Sequence, residues 1–395
     1  MENKKTPLPE LEKRWKKLQE QMQEQGIGGA LIVQRVDLFY FSGTAQDAHL
    51  FIPAQGRPQL LVRRNLQRAR SESNLPQVAP FTGWKDLAGI IKAGTVPTAP
   101  LGLELDVLPV NLFRRYTKLL SPLKITDISP LVRNLRAVKS PYELEQLQKA
   151  AALSEAIFAH ARDSCRAGMT EIELAAELEA FARARGHQGA IRMRGFNQEL
   201  FFSHTMAGES AAAPSFFNGP TGGYGLNPSY PQGAGTCKIK PEQPLLIDFV
   251  TVLNGYMVDQ TRIFCLGKPS AKLLQAHETA LRIKETLTGL GRAGANGAEL
   301  YQEAFEIAGA SGLGDHFMGA EEKVAFIGHG VGLELDELPV IARNYDFTLT
   351  EGMVFALEPK FVFPGQGTVG IEDTFVVRPY GLEQITRFED ALQIL

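Results

Sequence analysis

The stretch LLIDFVTVLNGYMVDQTRIF (residues 245–264) constrains this chain more than any other. Two apolar runs flank Asn254-Gly255, a dipeptide that favours a two-residue type I′ hairpin turn because both central residues must adopt positive φ. Such a turn fixes the register. Leu253 pairs with Tyr256, Val250 faces Asp259, and Asp248 faces Thr261. Side chains alternate along a strand with a period of two, so Asp248 and Asp259 lie diagonally across the ladder on one face. Diagonal neighbours are about 7–8 Å apart at Cα, within reach of a common point. Two ionised carboxylates brought together in an apolar setting repel each other and are costly to desolvate. Either a positive group compensates them, or one stays protonated, or both turn out to solvent at the hairpin edges.

The surrounding composition sets few further limits. The chain has 395 residues, 44% hydrophobic and 22% charged, which is the balance of a soluble globular protein of two or three domains. A net charge of −3 gives no basic footprint for a nucleic acid or an anionic membrane surface. No apolar run reaches the ~18 residues of a spanning helix. The polar start MENKKTPLPELEKRWKK lacks the apolar core of a secretory signal. Cys165, Cys237 and Cys265 are too few and too scattered for a disulfide framework or a cysteine zinc site. The expectation is a reduced, cytoplasmic, enzyme-sized protein with no nucleic-acid and no membrane partner.

Residues 9–25 read as an amphipathic helix with Leu11, Trp15, Leu18 and Met22 on one stripe. GGALIVQ, LFYFSG, AHLFIP and PQLLVR read as strands, and alternation of short strands and helices to about residue 130 indicates a compact α/β domain. A long helix then opens at SPYE, with Ser140 as N-cap, Pro141 at the first helical position and Glu143 completing a capping box. The domain boundary is placed just before it, giving domains 1–138 and 139–395. Thr170 and Glu173 form a second capping box. Residues 195–244 show little periodicity, and FFNGPTGGYGLNPSYPQGAG within them reads as a long loop of the kind that is usually functional or disordered. Two more helices follow residue 270, and strand-rich sequence fills the rest.

The last third carries more acids in apolar runs. FALEPKFVFPGQGTVGIEDTFVV (355–377) is a second hairpin candidate, and an odd-length loop at PGQG sets Glu358 opposite Glu372 on one face. Between the hairpins, FIGHGVGLELDELP holds His329 between two glycines. Four carboxylates and a neutral imidazole carry a charge of −4, which two divalent cations would balance. Oxygen-rich ligation with one imidazole suits Mn²⁺, Co²⁺, Fe²⁺ or Zn²⁺. Paired ions about 3.5–4 Å apart can share a hydroxide as nucleophile and clamp the oxyanion it creates, which is the chemistry of amide hydrolysis.

IDFVTVLNGYMVDQTR, GHGVGLELDELP, LEP and GIEDTFVV resemble, in order and spacing, the motifs of the pita-bread metallopeptidases: methionine aminopeptidase, prolidase, aminopeptidase P and the metal-free creatinase. NLRAVKSPYELEQLQKA and GMTEIELA look like the helices that open their catalytic domain, and residues 1–135 look like their smaller domain. The resemblance implies an α+β chain of two domains, a small creatinase-like α/β domain and a pita-bread catalytic domain. It implies that Asp248, Asp259, His329, Glu358 and Glu372 ligate two divalent ions, with Asp259 and Glu372 bridging. Glu358 would handle the water proton as general base. It also implies a homodimer.

Three positions depart from the family pattern. Where proline-specific relatives carry a histidine that binds the substrate carbonyl and tetrahedral intermediate, this chain has Asp336. Where a second histidine often follows a proline upstream, it has Ser215. Where prolidase-like members have an arginine two residues before the last ligand, it has Gly370. Asp336 would repel an oxyanion unless paired or protonated, and it could instead hold a cationic group of another substrate. His204 is a candidate substitute donor beside its plainer role as a structural histidine. Tyr224 and Tyr230 are candidates to line the substrate cleft, beside a plainer reading as exposed loop aromatics. The leading expectation is an Xaa-Pro peptidase-like hydrolase of a short peptide or small amide. A hydrolase or lyase of a small non-peptide metabolite is the alternative, and a silent binding protein is the third.

Overall fold

The computed structural model describes residues 5–395, and the chain divides into two compact units, Met1–Arg136 and Ala137–Leu395. No helix among the described residues is long and apolar enough to cross a membrane.

The first unit runs α1 (Leu8–Glu24), β1 (Gly29–Ile32), α2 (Arg35–Ser42), β2 (Ala48–Pro53), β3 (Gln59–Val62), α3 (Leu66–Glu72), β4 (Val78–Pro80), α4 (Trp84–Gly94), β5 (Leu101–Leu103), α5 (Val110–Leu120), β6 (Ile125–Asp127) and α6 (Ser129–Ala137), the last carrying the chain across the division. Its six strands form one mixed sheet in the order β4-β3-β2-β1-β5-β6. The stripe of α1 is buried as its periodicity predicts: Leu11, Trp15, Leu18 and Met22 are all inside. LFYFSG is helix, not strand. Gln34 caps α2 by accepting from the amides of Val36 and Asp37, and Gly43 ends it at φ 75°. A short apolar run carries no decisive periodicity, so these caps decide.

The second unit runs α7 (Pro141–Ser164), α8 (Glu171–Ala184), β7 (Ser203–Ala207), β8 (Pro244–Leu253), β9 (Tyr256–Cys265), α9 (Ala271–Leu290), α10 (Gly297–Ala310), β10 (Phe326–Gly330), β11 (Glu337–Ala342), β12 (Val354–Leu357), β13 (Lys360–Phe363), β14 (Gly367–Gly370), β15 (Asp373–Arg378), β16 (Gly381–Gln384) and β17 (Gln393–Ile394). Both capping boxes form, Ser140 with Glu143 and Thr170 with Glu173. One sheet is ordered β17-β9-β8-β7 and the other β11-β10-β12-β15-β16, with β13-β14 as a separate hairpin. Ile157, Phe158, Leu174 and Leu178 of α7 and α8 pack with Ile247 and Phe249 of the first sheet. Ala276, Ile283, Leu300 and Ala304 of α9 and α10 pack with Ile341, Phe355 and Phe375 of the second. With helices outside and two sheets inside, this is the pita-bread α+β arrangement. Residues 216–235 form no helix or strand, as expected of a long loop, but the wider region 195–244 is not without structure. It contains β7 and a 3₁₀ turn (Gly208–Ala212), a strand too short and too polar to show alternation.

Candidate metal centre

The hairpin forms in the register its turn dictates. Asn254 and Gly255 sit at φ 53° and 89°, and Leu253 pairs with Tyr256, Val250 with Asp259 and Asp248 with Thr261. On the second sheet, His329 stands on β10 between β11 and β12. Its glycine neighbours reflect close backbone approach. A Cβ on Gly328 would lie 2.6 Å from the Ala356 carbonyl oxygen, and one on Gly330 would run into the Leu338 carbonyl. Glu358 lies one residue past β12, its amide donating to the Ile327 carbonyl at 2.8 Å. Glu372 precedes β15 and exchanges backbone hydrogen bonds with Thr261 at 3.2 and 3.3 Å, a rung that joins the two sheets. In the β13–β14 hairpin Lys360 pairs with Gly370 and Phe363 with Gly367. The same register carried outward sets Glu358 opposite Glu372.

Five predicted side chains converge. His329 Nε2 lies 3.8 Å from Asp259 Oδ2, 3.8 Å from Glu358 Oε1 and 3.7 Å from Glu372 Oε1. Asp259, His329 and Glu372 each place one ligand atom within 4.8 Å of the others. Asp248 completes the group through a residue that was not anticipated, Lys360. Its ammonium donates to Glu358 Oε2 and Glu372 Oε2, both at 2.7 Å, and to Asp248 Oδ2 at 3.3 Å, and its side chain is 1% exposed. The signal was present in LEPKFVF: residues two apart in extended chain share a face, and Lys360 opens β13 two positions after Glu358.

Burial and mutual charge set the protonation of this group. Burial pushes Glu358 up to about 7 against the pull of Lys360. Burial would also raise Glu372, but Lys360 and His329 hold it down at about 2. Burial, then Glu372 and Asp248, raise Asp259 well above the usual range. Burial alone would lower His329 and Lys360, yet the carboxylates around each raise both.

A divalent ion fits this donor set. Among the described residues the buried Asp259 Oδ1 has no hydrogen-bond partner, an orphaned acceptor on a carboxylate that meets other carboxylate oxygens and one imidazole, the ligation that hard and borderline divalent cations take. Lys360 enters the charge balance of this group: with a neutral imidazole, its four carboxylates and one ammonium carry −3.

Of the remaining sequence candidates, Asp336 and His204 border the group, and Ser215, Tyr224 and Tyr230 form no hydrogen bond with it. Asp336, 40% exposed, lies on the far side of His329, with Oδ1 3.6 Å from Nδ1, and accepts from Gln198 at 3.4 Å. His204 sits on β7 directly across from Asp248, buried, with Nε2 3.1 Å from Gln232 Oε1. Burial lowers its pKa, leaving a neutral ring. The Ser215 hydroxyl donates to the Pro231 carbonyl. Tyr224 is half exposed, Tyr230 leans on Phe201 with ring centroids 4.6 Å apart, and neither hydrogen-bonds to the carboxylate group. A further residue absent from the sequence reading, Arg262, is wholly buried behind the centre. It donates to the backbone carbonyls of Thr261 and Glu372 at 2.9 Å each and to Asp373 Oδ1 at 2.9 Å. It locks the rung that carries Glu372.

Residues 145–379 match Metallopeptidase family M24, and residues 14–138 match the Creatinase/Prolidase N-terminal domain. The chain is similar to the Xaa-Pro dipeptidase of Pyrococcus furiosus, 28% identical over 384 residues that cover 97% of this chain and 100% of that protein. Among solved structures, the Xaa-Pro dipeptidase from Bacillus anthracis superposes with a TM-score of 0.83 at 26% identity, covering 98% of this chain and 100% of that one. The X-Pro aminopeptidase from Thermotoga maritima gives 0.80 at 25%, covering 95% and 100%.

Proposed function

The chain belongs to metallopeptidase family M24 and is a metal-dependent peptidase, and from that premise we propose that it cleaves the Xaa-Pro bond of short peptides. Asp259, His329, Glu372 and Glu358 hold a divalent ion, of which Mn²⁺, Co²⁺, Zn²⁺ and Fe²⁺ all suit the donors. The observation that carries this assignment is the convergence of one imidazole and acidic oxygens at a single buried point. When bound, such an ion polarises the scissile carbonyl and acidifies water.

The chain's own residues do the rest. Glu358 Oε1 accepts the proton of the attacking water and returns it to the leaving nitrogen. Its other oxygen is fixed by Lys360 at 2.7 Å, which holds the carboxylate in one orientation. Asp336 Oδ1 lies 3.6 Å from His329 Nδ1, beyond hydrogen-bond length, and its charge favours a proton on Nδ1, which leaves Nε2 unprotonated on the side of the carboxylates. Thr261 donates to Glu372 Oε2 at 2.7 Å and fixes that side chain. A homodimer, supported by the family resemblance alone, and a cytoplasmic location, supported by the cysteine usage and composition, belong to the same proposal.

One observation favours a second reading. Asp336 and the hydrogen-bonded Ser215 stand where the resemblance leads one to expect two substrate-facing histidines, a change that suits a small non-peptide amide. The discriminating experiment loads purified protein with Mn²⁺, Co²⁺ or Zn²⁺ and assays Xaa-Pro dipeptides, longer Xaa-Pro peptides and small non-peptide amides. Chelator-sensitive turnover of an Xaa-Pro peptide is the expected result. Turnover confined to non-peptide amides would replace the peptidase proposal with the second reading.

A further inference from the structure

We propose that the Lys360 ammonium is a built-in second cation of the centre, occupying the place a second divalent ion would need, so that each chain takes up one ion. This rests on the reading of the carboxylate group as a metal centre.

The two glutamates divide their oxygens between two positions. Oε2 of Glu358 and Oε2 of Glu372 each accept from Lys360 at 2.7 Å, with Asp248 Oδ2 at 3.3 Å. Oε1 of the same two residues faces His329 Nε2 at 3.8 and 3.7 Å, together with Asp259. One side of the cage is therefore an ammonium position and the other an ion position. An ion bonded at about 2.0–2.2 Å to both Oε2 atoms from the side that Lys360 occupies would overlap Nζ, and two cations do not share that space. An ammonium has three donor hydrogens, and here they match three carboxylates.

The lysine is also fitted, not incidental. Its side chain is 1% exposed, and it stands in the ladder opposite Gly370. A Cβ at 370 would come within 2.7 Å of Lys360 Cα and 2.9 Å of Lys360 Cγ. The position where the family resemblance leads one to expect an arginine is thus emptied of side chain, and the strand across from it brings the positive charge. All three ammonium donors are engaged by carboxylates, so Lys360 is a positioning residue that supplies fixed charge and holds Asp248, Glu358 and Glu372 in place. That charge cannot be chelated away.

The test is a Mn²⁺ titration of the full chain after chelator treatment, read by bound metal per chain and by electron paramagnetic resonance. Wild type should saturate at one ion with the signal of an isolated Mn²⁺. Lys360→Ala, and independently Lys360→Gln, should rise toward two ions with a spin-coupled signal, while Lys360→Arg should stay at one. Circular dichroism establishes which variants fold, and the wild-type count stands by itself if they do not. Two ions in wild type would overturn the proposal and leave the metal-centre reading intact. One ion in wild type and in the folded neutral variants alike would overturn it too, since the lysine would not be what limits uptake. Folded wild type that binds no ion would overturn the metal-centre reading itself.

Discussion

At the scale of single residues, the second neighbour of His329 decides what the altered shell means. Asp336 is partly exposed and lies 3.6 Å from His329 Nδ1, so it can steer the imidazole or meet the substrate. These roles separate in measurement. If it steers, Asp336→Ala should weaken Mn²⁺ affinity about 10–100-fold, the usual loss for a partner behind a ligating histidine, with the number of ions unchanged. If it meets the substrate, KM should rise while metal affinity holds. We expect the first. The acids themselves were legible because a carboxylate inside an apolar strand is a physical anomaly that demands compensation. Lys360 went unread although it lies two residues from Glu358, because metal ions already balanced the charge. Asp248 and Asp259 could be placed from a turn dipeptide alone, whereas His204, set across from Asp248 by β7, could not, since nothing in its neighbourhood marks a strand.

At the scale of elements, what holds the centre together is a buried ionic knot behind it. Arg262 spans the rung between β9 and Glu372 and meets Asp373, which also accepts from Lys284 at 2.6 Å and from Thr386 at 2.8 Å. Period-two alternation explains the arrangement: Asp259 and Thr261 face the centre, and Gln260 and Arg262 face the knot. Arg262→Ala leaves the buried carbonyls of Thr261 and Glu372 without that donor and leaves Asp373 with Lys284 as its remaining cation, so it should lose about 3–5 kcal/mol in urea unfolding. A loss under about 1 kcal/mol, typical of an exposed pair, would mean that the knot is dispensable. The caps and the hairpin turn could be read in advance because each is decided by residues a few positions apart. The knot could not, because Arg262 and Lys284 meet Asp373 from 111 and 89 residues away and each looks, by itself, like an ordinary polar residue of its element.

At the scale of the whole molecule, the two units can be watched separately. Both tryptophans, Trp15 and Trp84, belong to the first unit, so tryptophan emission follows its unfolding within the full chain. That unit carries its own acid sensitivity. His49 is 3% exposed, its Nε2 lies 2.9 Å from the Tyr116 hydroxyl, and its ring lies 5.2 Å from Phe81 and 5.6 Å from Trp84. Burial first, and then Arg63, lower its pKa from 6.5 to about 4. Between those values the unfolded chain binds a proton that the folded chain refuses. The stability tied to His49 is therefore complete above pH 6.5 and falls as the pH drops toward 4, by about 3 kcal/mol at most. Glu104 works in the opposite sense. Its burial, and the nearby charge of Asp37, raise its pKa, so its contribution is present at low pH and is lost as the pH rises. The raw acid profile mixes the two, but Glu104 is common to wild type and variant. The quantity to measure is thus the difference between wild type and His49→Gln in tryptophan-detected urea unfolding at pH 7 and pH 4.5. Wild type should lose more stability than the variant over that interval, by about 2–3 kcal/mol. Equal losses would mean that the proton enters the unfolding equilibrium elsewhere and that the His49–Tyr116 contact carries no pH dependence.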